Sequence, residues 1–528
     1  MFKRTLGLIL ALLMVLSMSA MAEGNADWRT PYDETIVVHV SAEEQTSAIW
    51  AEGEDATNNL WTKLWKDRYN VEVVVDWVST EYETKMNLAI ASGELPDMFP
   101  VKLVQFEQLK AAGLLEDLTE AVATTASPSL MKMINANPDL MDVVKDDNGA
   151  LLAIPQFHYG FETMTGFIWM RKDWVDANGI EQPKSIDDIE AAMKSFIENN
   201  GATYGTTLDK TLNNFYRLAP GFHVYPEVWV PGEDGTLIYG STAPEMKKML
   251  ETWARWYEEG LINPDFGTMT EDAAREDFYN GLTGLYAKEN WAGWQIGRDM
   301  VANQGDGTYF IPFDIPSIDS DPVKFEIKFA TDNINVVRKG YEHPEVLVKL
   351  INNYVDVLDD AIGAGTMTIE EVLPFNTNEM HHVTGPFKVM FAHYNDIKQV
   401  SAAVEEGGGP LDTGNAYLFY NEILKWVNDG DVVGMGRWLQ MGSYDSSLAR
   451  AIAHVDENRL QKDAVWGMKP QVVLDYGTTL KDLLDEGFTE IIIGVEDVDY
   501  FDTLVENWKA AGGQECMDAV NAAYGQGA

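Results

Sequence analysis

The chain has 528 residues, of which 84 are acidic and 38 are basic, so its formal net charge at pH 7 is −46. This excess of negative charge repels a phosphate backbone or an anionic membrane surface, and it excludes nucleic acid as a partner. The length exceeds what one hydrophobic core holds, and the 16 Trp, 21 Tyr and 21 Phe residues predict a well-packed protein of at least two domains.

The first 22 residues have the pattern of a cleaved export signal. Two basic residues precede an apolar run over residues 6–19, which is too short for a permanent membrane span, and residues 20–22 (AMA) form a small-x-small cleavage site. Cys516 is the only cysteine, so the sequence excludes internal disulfides and places no lipid-attachment cysteine near the cut. We therefore expect an exported protein, periplasmic or at the cell envelope, that is cleaved after Ala22 and carries no lipid anchor.

The predicted elements then alternate between strand and helix. The sequence predicts strands at 35–40, 71–78 and 97–99 and helices at 56–69, up to Ser92, at 104–112 and onward to about 144. Gly93 and Gly113 are expected as helix C-caps, and Pro100 is expected to stop the stub of strand at 97–99. This order is typical of a mostly parallel sheet with helices on both faces.

The remaining two thirds of the chain continue the α/β pattern. The sequence predicts short strands within 147–157, at 166–174 and at 330–338, and helices from Ser185, from Pro244 to Gly260, at 344–358 and at 500–511. No proline- or serine-rich linker separates the halves. The pattern therefore predicts two α/β lobes joined by crossing segments, with a ligand cleft between them.

Seven segments of the sequence occur in an order that matches a known family. They read ASGELPD, GLLEDLTEAV, GALLAIP, IWMRKDWVDANGIEQPKSIDDIEAAMKSF, APEMKKML, YEEGLINPDF and DYFDTLVENWKAAGGQECMDAVNAAY. Together they resemble the family 1 extracellular solute-binding proteins, in the long, lipoprotein-like branch that serves carbohydrate ABC transporters. The resemblance implies a two-lobe, type II periplasmic-binding-protein fold. It also implies a monomer that encloses a sugar, an oligosaccharide in our prediction, and delivers it to the membrane permease of an ABC transporter.

The resemblance also sets expectations for the lobes and for bound ions. Lobe I is expected to comprise 23–155 with about 329–400, and lobe II 156–328 with about 401–528. Some relatives carry a calcium loop after the helix that this chain places at 186–199, but ENNGATYGTT lacks the alternating oxygen ligands of such a loop. We therefore expect no calcium and no other cofactor. Gram-positive members usually carry a lipobox cysteine where this chain has AMA.

A sugar site needs flat aromatic platforms together with planar hydrogen-bonding groups. Tryptophans on helix stripes are expected in the core instead, and these are Trp61, Trp65, Trp253 and Trp256. Residues in loops after strands are the candidate ligand contacts, with packing as an equal alternative, and these are Trp50, Phe157, His158, Tyr159, Trp291 and Trp294. The last two form the leading pair, because KENWAGW follows the apolar strand GLYA and Gly293 is expected to leave the backbone free to aim one ring. Phe99 is favoured as a packing residue.

Other chemistry is less well supported by the sequence. Arg298 and Arg338 are expected in ordinary salt bridges, and the histidines at 381, 382 and 393 are expected to be solvated rather than to bind a metal. The alternative function is a secreted polysaccharide-degrading enzyme, either a glycoside hydrolase or a lyase. The sequence has neither a G-x-S-x-G elbow nor an H-E-x-x-H motif, and we expect a binding protein rather than an enzyme.

Overall fold

The computed structural model describes residues 28–44, 50, 52–157, 166–305, 307–329, 331, 333–355, 394–411 and 414–525. The chain divides into two compact units. Unit 1 comprises Met1–Tyr159, Thr331–Ala392 and Asp412–Asn415, and unit 2 comprises Gly160–Ala330, His393–Leu411 and Ala416–Ala528. The export segment and the histidines at 381, 382 and 393 lie outside the described residues, and the lobe boundaries inferred from the sequence stay a prediction.

The strands and helices are numbered here in chain order. The strands are β1 Ile36–Glu43, β2 Val71–Ser79, β3 Met98–Val101, β4 Ala153–Pro155, β5 Phe167–Arg171, β6 Trp229–Pro231, β7 Leu237–Tyr239, β8 Leu285–Lys288, β9 Phe310–Phe313, β10 Phe325–Ile327, β11 Ile334–Val337 and β12 Leu460–Lys462. The helices are α1 Leu60–Tyr69, α2 Tyr82–Ser92, α3 Leu103–Ala111, α4 Thr119–Thr125, α5 Pro128–Ala136, α6 Pro138–Val143, α7 Lys172–Asn178, α8 Ile186–Asn200, α9 Asn213–Leu218, α10 Met246–Glu258, α11 Glu271–Tyr279, α12 Ala292–Gln304, α13 Glu345–Val355, α14 Tyr394–Glu406, α15 Gly414–Asp429, α16 Val432–Met441, α17 Ser447–Asp456, α18 Gln471–Ile492, α19 Tyr500–Trp508 and α20 Gln514–Tyr524.

Unit 1 contains a five-stranded sheet in the order β2-β1-β3-β11-β4. β1 pairs in parallel with β2 and β3, as the strand–helix alternation predicts. β11, which enters the sheet from a much later part of the chain, pairs antiparallel with β3 and β4. Because β4 is antiparallel to β11, it runs in the same direction as β1, β2 and β3, so four of the five strands share one direction and the expected mostly parallel sheet is correct for unit 1 except for β11.

The short strand β3 lies in the middle of this sheet. It runs through Pro100 to Val101, so the expected stop at Pro100 is wrong. β1 pairs with β3 only at Val40 and Met98, so no hydrogen bond to β1 is required of Pro100, which has no N–H to donate. Phe99 is fully buried, which confirms that it is a packing residue.

Unit 2 contains a three-stranded sheet in the order β8-β5-β9, in which β5 is antiparallel to both neighbours. Two strand pairs accompany it, with β10 parallel to β12 and β6 antiparallel to β7. The parallel arrangement inferred from the first elements of the chain thus does not extend to this sheet.

The helices bury the aromatic stripes that the sequence predicts. Trp61, Trp65, Trp253 and Trp256 are at most 1% exposed, so their assignment to the core is confirmed. Ser185 caps α8 through a capping box with Asp188, also as predicted. The strand predicted at 166–174 ends at Arg171, because residues 172–178 form the unpredicted helix α7. The five helices α14 to α18 and the final helix α20 were also not predicted, and Gly512 lies at a kink between α19 and α20 instead of ending the helical region.

Candidate functional site

The six predicted contact residues lie in both units. In unit 1, Trp50 is half-buried and Phe157 is only 1% exposed, and His158 and Tyr159 lie outside the described residues. In unit 2, Trp291 is 37% exposed, whereas Trp294 lies in the first turn of α12 and its side chain is not described. A ligand role for each of the six stays a prediction, and the exposed ring of Trp291 is the one whose surroundings are described most fully.

Trp291 lies between a strand and a helix. It is separated from the end of β8 by two residues and immediately precedes α12. Gly293 is buried where a Cβ atom would lie 2.7 Å from Cβ of Leu439 on α16. The expectation that Gly293 leaves the backbone free is therefore wrong, because its small size instead allows α12 and α16 to pack closely and so fixes the helix that follows Trp291.

Four charged side chains, which we call the charge ring, lie beside Trp291. Nη2 of Arg217 donates to Oε1 of Glu289 at 2.7 Å and lies 3.6 Å from Oε1 of Glu271. Nζ of Lys288 pairs with Oε1 of Glu271 and lies 3.4 Å from Oε2 of Glu289. Each cation therefore contacts both carboxylates, and the four charges alternate in sign.

The two cations of the charge ring are buried more deeply than the two carboxylates. The side chains of Lys288 and Arg217 are 3% and 10% exposed, whereas those of Glu289 and Glu271 are 25% and 35% exposed. Burial alone would raise the pKa of Glu289, but the guanidinium of Arg217 and the ammonium of Lys288 lower it below its usual value. Glu289 is therefore an ionised hydrogen-bond acceptor at neutral pH.

The charge ring also holds the indole of Trp291. Nζ of Lys288 lies 4.6 Å from the centroid of the Trp291 ring, within the range of a cation–π contact. The result is a partly exposed flat ring near the partly exposed carboxylate of Glu271, whereas Oε2 of Glu289 is buried. Such a surface can stack on an apolar face of a ligand while it accepts hydrogen bonds from hydroxyl groups at the ligand's edge.

The charge ring was not predicted from the sequence. Its members come from α9, from the first residue of α11 and from the end of β8, and these segments are far apart in the chain. In a chain with 84 acidic residues, no spacing rule selects the relevant pair. The dipeptide Lys288-Glu289, at the end of the buried strand β8, is the signal that points to this position.

Arg338 forms a salt bridge, as predicted from the excess of acidic residues in the chain, and its Nη2 lies 2.7 Å from Oδ1 of Asp97. The side chain of Arg298 is not among those described.

Across the described residues, no group of three or more His, Cys, Asp or Glu side chains is placed to hold a metal ion. None of the helices in the described part of the chain is both long and apolar enough to cross a membrane.

Two depressions in the surface of unit 2 lie apart from the predicted contacts. One, of about 1020 Å³, runs along α10 and the residues after α18, and its rim is charged. The other, of about 380 Å³, is lined by residues around Phe313, Trp438 and Arg450. The described residues that line them do not include Trp291, so size alone does not identify the site.

Comparison with known proteins identifies the family. Residues 44–355 match the family model described as bacterial extracellular solute-binding protein. The chain is 24% identical to "Lipoprotein LipO" of Bacillus subtilis (strain 168), over 86% of each chain. It is 19% identical to "Polygalacturonan/rhamnogalacturonan-binding protein YtcQ" of the same strain, over 87% of this chain and 86% of that one.

A solved structure shows the same fold. It is the "HMO binding ABC-transporter associated Solute Binding Protein" of Bifidobacterium longum infantis ATCC 15697, with a TM-score of 0.59 and 15% identity, over 93% of this chain and 98% of that one. This likeness confirms the α/β fold class expected from the sequence. With the family model matching more than half of its length, the chain belongs to the bacterial extracellular solute-binding proteins.

Proposed function

We propose that this solute-binding protein captures an oligosaccharide outside the cytoplasmic membrane and delivers it, uncleaved, to the permease of an ABC transporter. Two similar proteins support a carbohydrate ligand, since one is named for binding polygalacturonan and rhamnogalacturonan and the other for binding HMO in association with an ABC transporter. The observation that carries the proposal is the exposed ring of Trp291, held by Lys288 beside two carboxylates.

The ligand contacts are proposed to include Trp291 as a stacking platform for a sugar ring. Trp294, Trp50, Phe157, His158 and Tyr159 complete the proposed set. Stacking suits a pyranose or furanose face, because the C–H groups of the sugar lie against the π surface while its hydroxyl groups reach the adjacent acceptors.

The charge ring argues against a polysaccharide-degrading enzyme at this position. A glycoside hydrolase needs a carboxylic acid whose pKa is raised so that it can donate a proton. The pKa of Glu289 is lowered instead, and both Glu271 and Glu289 are held by cations. These carboxylates are suited to accept hydrogen bonds rather than to protonate a leaving group.

The test begins with a thermal-shift screen against a panel of oligosaccharides. A ligand present at 100 times its dissociation constant stabilises the folded state by about 2.7 kcal/mol, which is readily measured. Calorimetric titration of Trp291→Ala with the best ligand should then show binding weakened at least about tenfold, because loss of a stacking aromatic costs on the order of 1–3 kcal/mol by analogy with nucleic-acid stacking sites.

Two controls separate stacking from stability. Tyr417, which is 36% exposed, is a matched surface aromatic in unit 2, and Tyr417→Ala should bind the sugar normally. Trp294→Ala is measured in parallel, and we expect the two tryptophan variants to differ. If Trp291→Ala binds normally, or loses affinity only in proportion to a lowered melting temperature, the ring is a packing residue and the site lies elsewhere.

Export is a further part of the proposal. The family is extracellular, and the sequence predicts a signal segment that is removed after Ala22. Mass spectrometry of the protein isolated from its native host should show Glu23 as the first residue. Retention of residues 1–22 in the secreted protein would contradict this cleavage.

A further inference from the structure

We infer that the sugar unit bound at Trp291 is electrically neutral and is not a uronate. This inference rests on the proposed function, because it concerns the same ring and the same ligand class. It gives the site a substrate class that differs from the acidic polysaccharides for which one of the similar proteins is named.

The first argument is that Arg217 and Lys288, the two cations of the charge ring, already have anionic partners. Recognition of a sugar carboxylate calls for a guanidinium or ammonium group that is presented to the ligand. Nη2 of Arg217 already contacts Glu289 and Glu271, and Nζ of Lys288 contacts the same two carboxylates. The side chains of Arg217 and Lys288 are only 10% and 3% exposed, and the remaining guanidinium nitrogens of Arg217 are buried.

The second argument concerns the charges that do face outward. The most exposed member of the charge ring is Glu271, at 35%, whereas Oε2 of Glu289 is buried, so an approaching ligand meets the carboxylate oxygens of Glu271 first. Hydroxyl groups of a neutral sugar can donate hydrogen bonds to these oxygens. A uronate carboxylate has no proton to donate at neutral pH and would lie next to charges of its own sign, which is unfavourable.

The third argument is the charge of the whole chain. With a net charge of −46, the protein repels an anionic oligosaccharide as it approaches. At physiological ionic strength this repulsion is screened beyond about 8 Å, so it acts mainly on the association rate. The affinity then depends mainly on the side chains of the charge ring. Local and global charge therefore favour the same class of ligand.

The experiment compares neutral and acidic ligands on the full-length mature protein. Calorimetric titrations use malto-, manno-, xylo-, fructo- and galacto-oligosaccharides as the neutral set, and oligogalacturonides and alginate oligosaccharides of matched length as the acidic set. We expect a neutral ligand to bind at least about tenfold more tightly than any acidic one. We also expect its affinity to change less than about twofold between about 20 mM and about 300 mM NaCl, because no net charge is neutralised on binding.

Variants of the two carboxylates then test the role of the charge ring. Glu271→Gln leaves Lys288 with one carboxylate fewer, and Glu289→Gln does the same for Arg217, so each should raise the affinity for acidic oligosaccharides at least about threefold. Glu198→Gln is the matched control, because Glu198 is an exposed residue of α8 and the variant has the same change in net charge. Either ring variant is sufficient if the other does not fold.

Each outcome decides a different claim. Preferential binding of a neutral ligand, together with a ring variant that gains affinity for acidic ligands beyond the Glu198→Gln control, supports the inference. An acidic oligosaccharide that binds wild-type protein as tightly as the best neutral one overturns the inference but leaves the proposed function intact. Ring variants indistinguishable from the control also overturn it. Failure of every oligosaccharide to bind contradicts the proposed function itself.

Discussion

Glu326 in β10 is a buried carboxyl group whose protonation affects folding. It is 2% exposed, and its Oε2 has no hydrogen-bond partner among the described residues. Burial raises the pKa of Glu326 from 4.5 to about 8, with Glu227 and Asp463 adding to the rise and Lys328 opposing it. The neutral form is therefore the one that the folded protein prefers.

This raised pKa predicts a dependence of stability on pH. Folding favours proton binding by Glu326, so its stabilising contribution is complete below about pH 4.5 and is lost as the pH rises through about 8. Glu326→Gln stays neutral and should remove this contribution to the slope. Melting temperatures measured between about pH 5 and about pH 8.5 should fall less in the variant than in wild type. Glu198→Gln should keep the wild-type slope, and an unchanged slope in Glu326→Gln would contradict the assignment.

Asp97 ties three strands together at a single residue. Its Oδ1 accepts from Nη2 of Arg338 at 2.7 Å, and its Oδ2 accepts from the backbone N–H of His39 at 3.0 Å. Its own backbone N–H donates to the carbonyl of His39, and its carbonyl accepts from the N–H of Arg338, each at 2.9 Å. The residue before the central strand thus connects the parallel and antiparallel parts of the sheet.

Removing this side chain should destabilise unit 1. We expect Asp97→Ala to lower the free energy of unfolding by about 1–3 kcal/mol, because two charge-assisted hydrogen bonds are lost and a partly buried cation loses its partner. Urea denaturation measures the change. Glu94→Ala, at an exposed position three residues earlier, should stay within about 0.5 kcal/mol of wild type. Equal effects of the two variants would show that the Asp97 contacts contribute nothing.

Single residues differ in how far the sequence reveals their roles. The burial of Trp61 and Trp253 follows from helix periodicity, and the salt bridge of Arg338 follows from the acidic composition. The partners of Lys288 do not follow from any local rule, because the charge ring forms only when α9, α11 and the end of β8 come together. Periodicity reports which face of an element is apolar, but not which polar side chains meet across elements.

At the scale of elements, the packing of α12 against α16 determines the position of Trp291. A Cβ atom at Gly293 would lie 2.7 Å from Cβ of Leu439, whereas one at Gly477 in α18 would meet no atom within 4 Å. Both glycines lie inside helices and neither has a positive φ angle, so they differ mainly in the space around them.

Alanine substitution should therefore have opposite effects at the two glycines. Gly293→Ala should destabilise by about 1–3 kcal/mol, because α12 must move away from α16. Gly477→Ala should stabilise by about 0.5–1 kcal/mol, because it removes backbone freedom from the unfolded chain at no steric cost. Thermal and urea denaturation measure both changes. Stabilisation by Gly293→Ala would show that the two helices do not pack as described.

Element ends were predicted where a local cap exists. Gly93 ends α2 with φ of 76°, and Ser185 starts α8 with its capping box, both as the sequence indicates. The predicted strand end at Pro100 was wrong. A strand tolerates proline where the missing N–H is not needed for pairing, and β1 pairs with β3 only at Met98. Helices α14 to α18 were not predicted, and α17 and α18 begin after Ser446 and Pro470 without a side-chain capping hydrogen bond, so no such local signal marks their starts.

At the scale of the whole molecule, the sequence predicted the family correctly, but it did not name the sugar that the protein binds. Ordered short motifs identify a family because they record the positions of turns, caps and strand ends along most of the chain. The ligand class instead depends on which few side chains surround one exposed ring, and these come from distant parts of the sequence. The net charge of −46 limits the ligand class but does not select a particular sugar.

The central claim is that the protein holds an intact oligosaccharide at Trp291. The most direct measurement is calorimetric titration of wild-type and Trp291→Ala protein with the best neutral oligosaccharide, followed by mass analysis of the recovered ligand. The account predicts saturable binding by wild type, affinity at least about tenfold weaker in the variant at an unchanged melting temperature, and a ligand of unaltered length. Equal affinities for the two proteins, or recovery of shortened oligosaccharide, would contradict it.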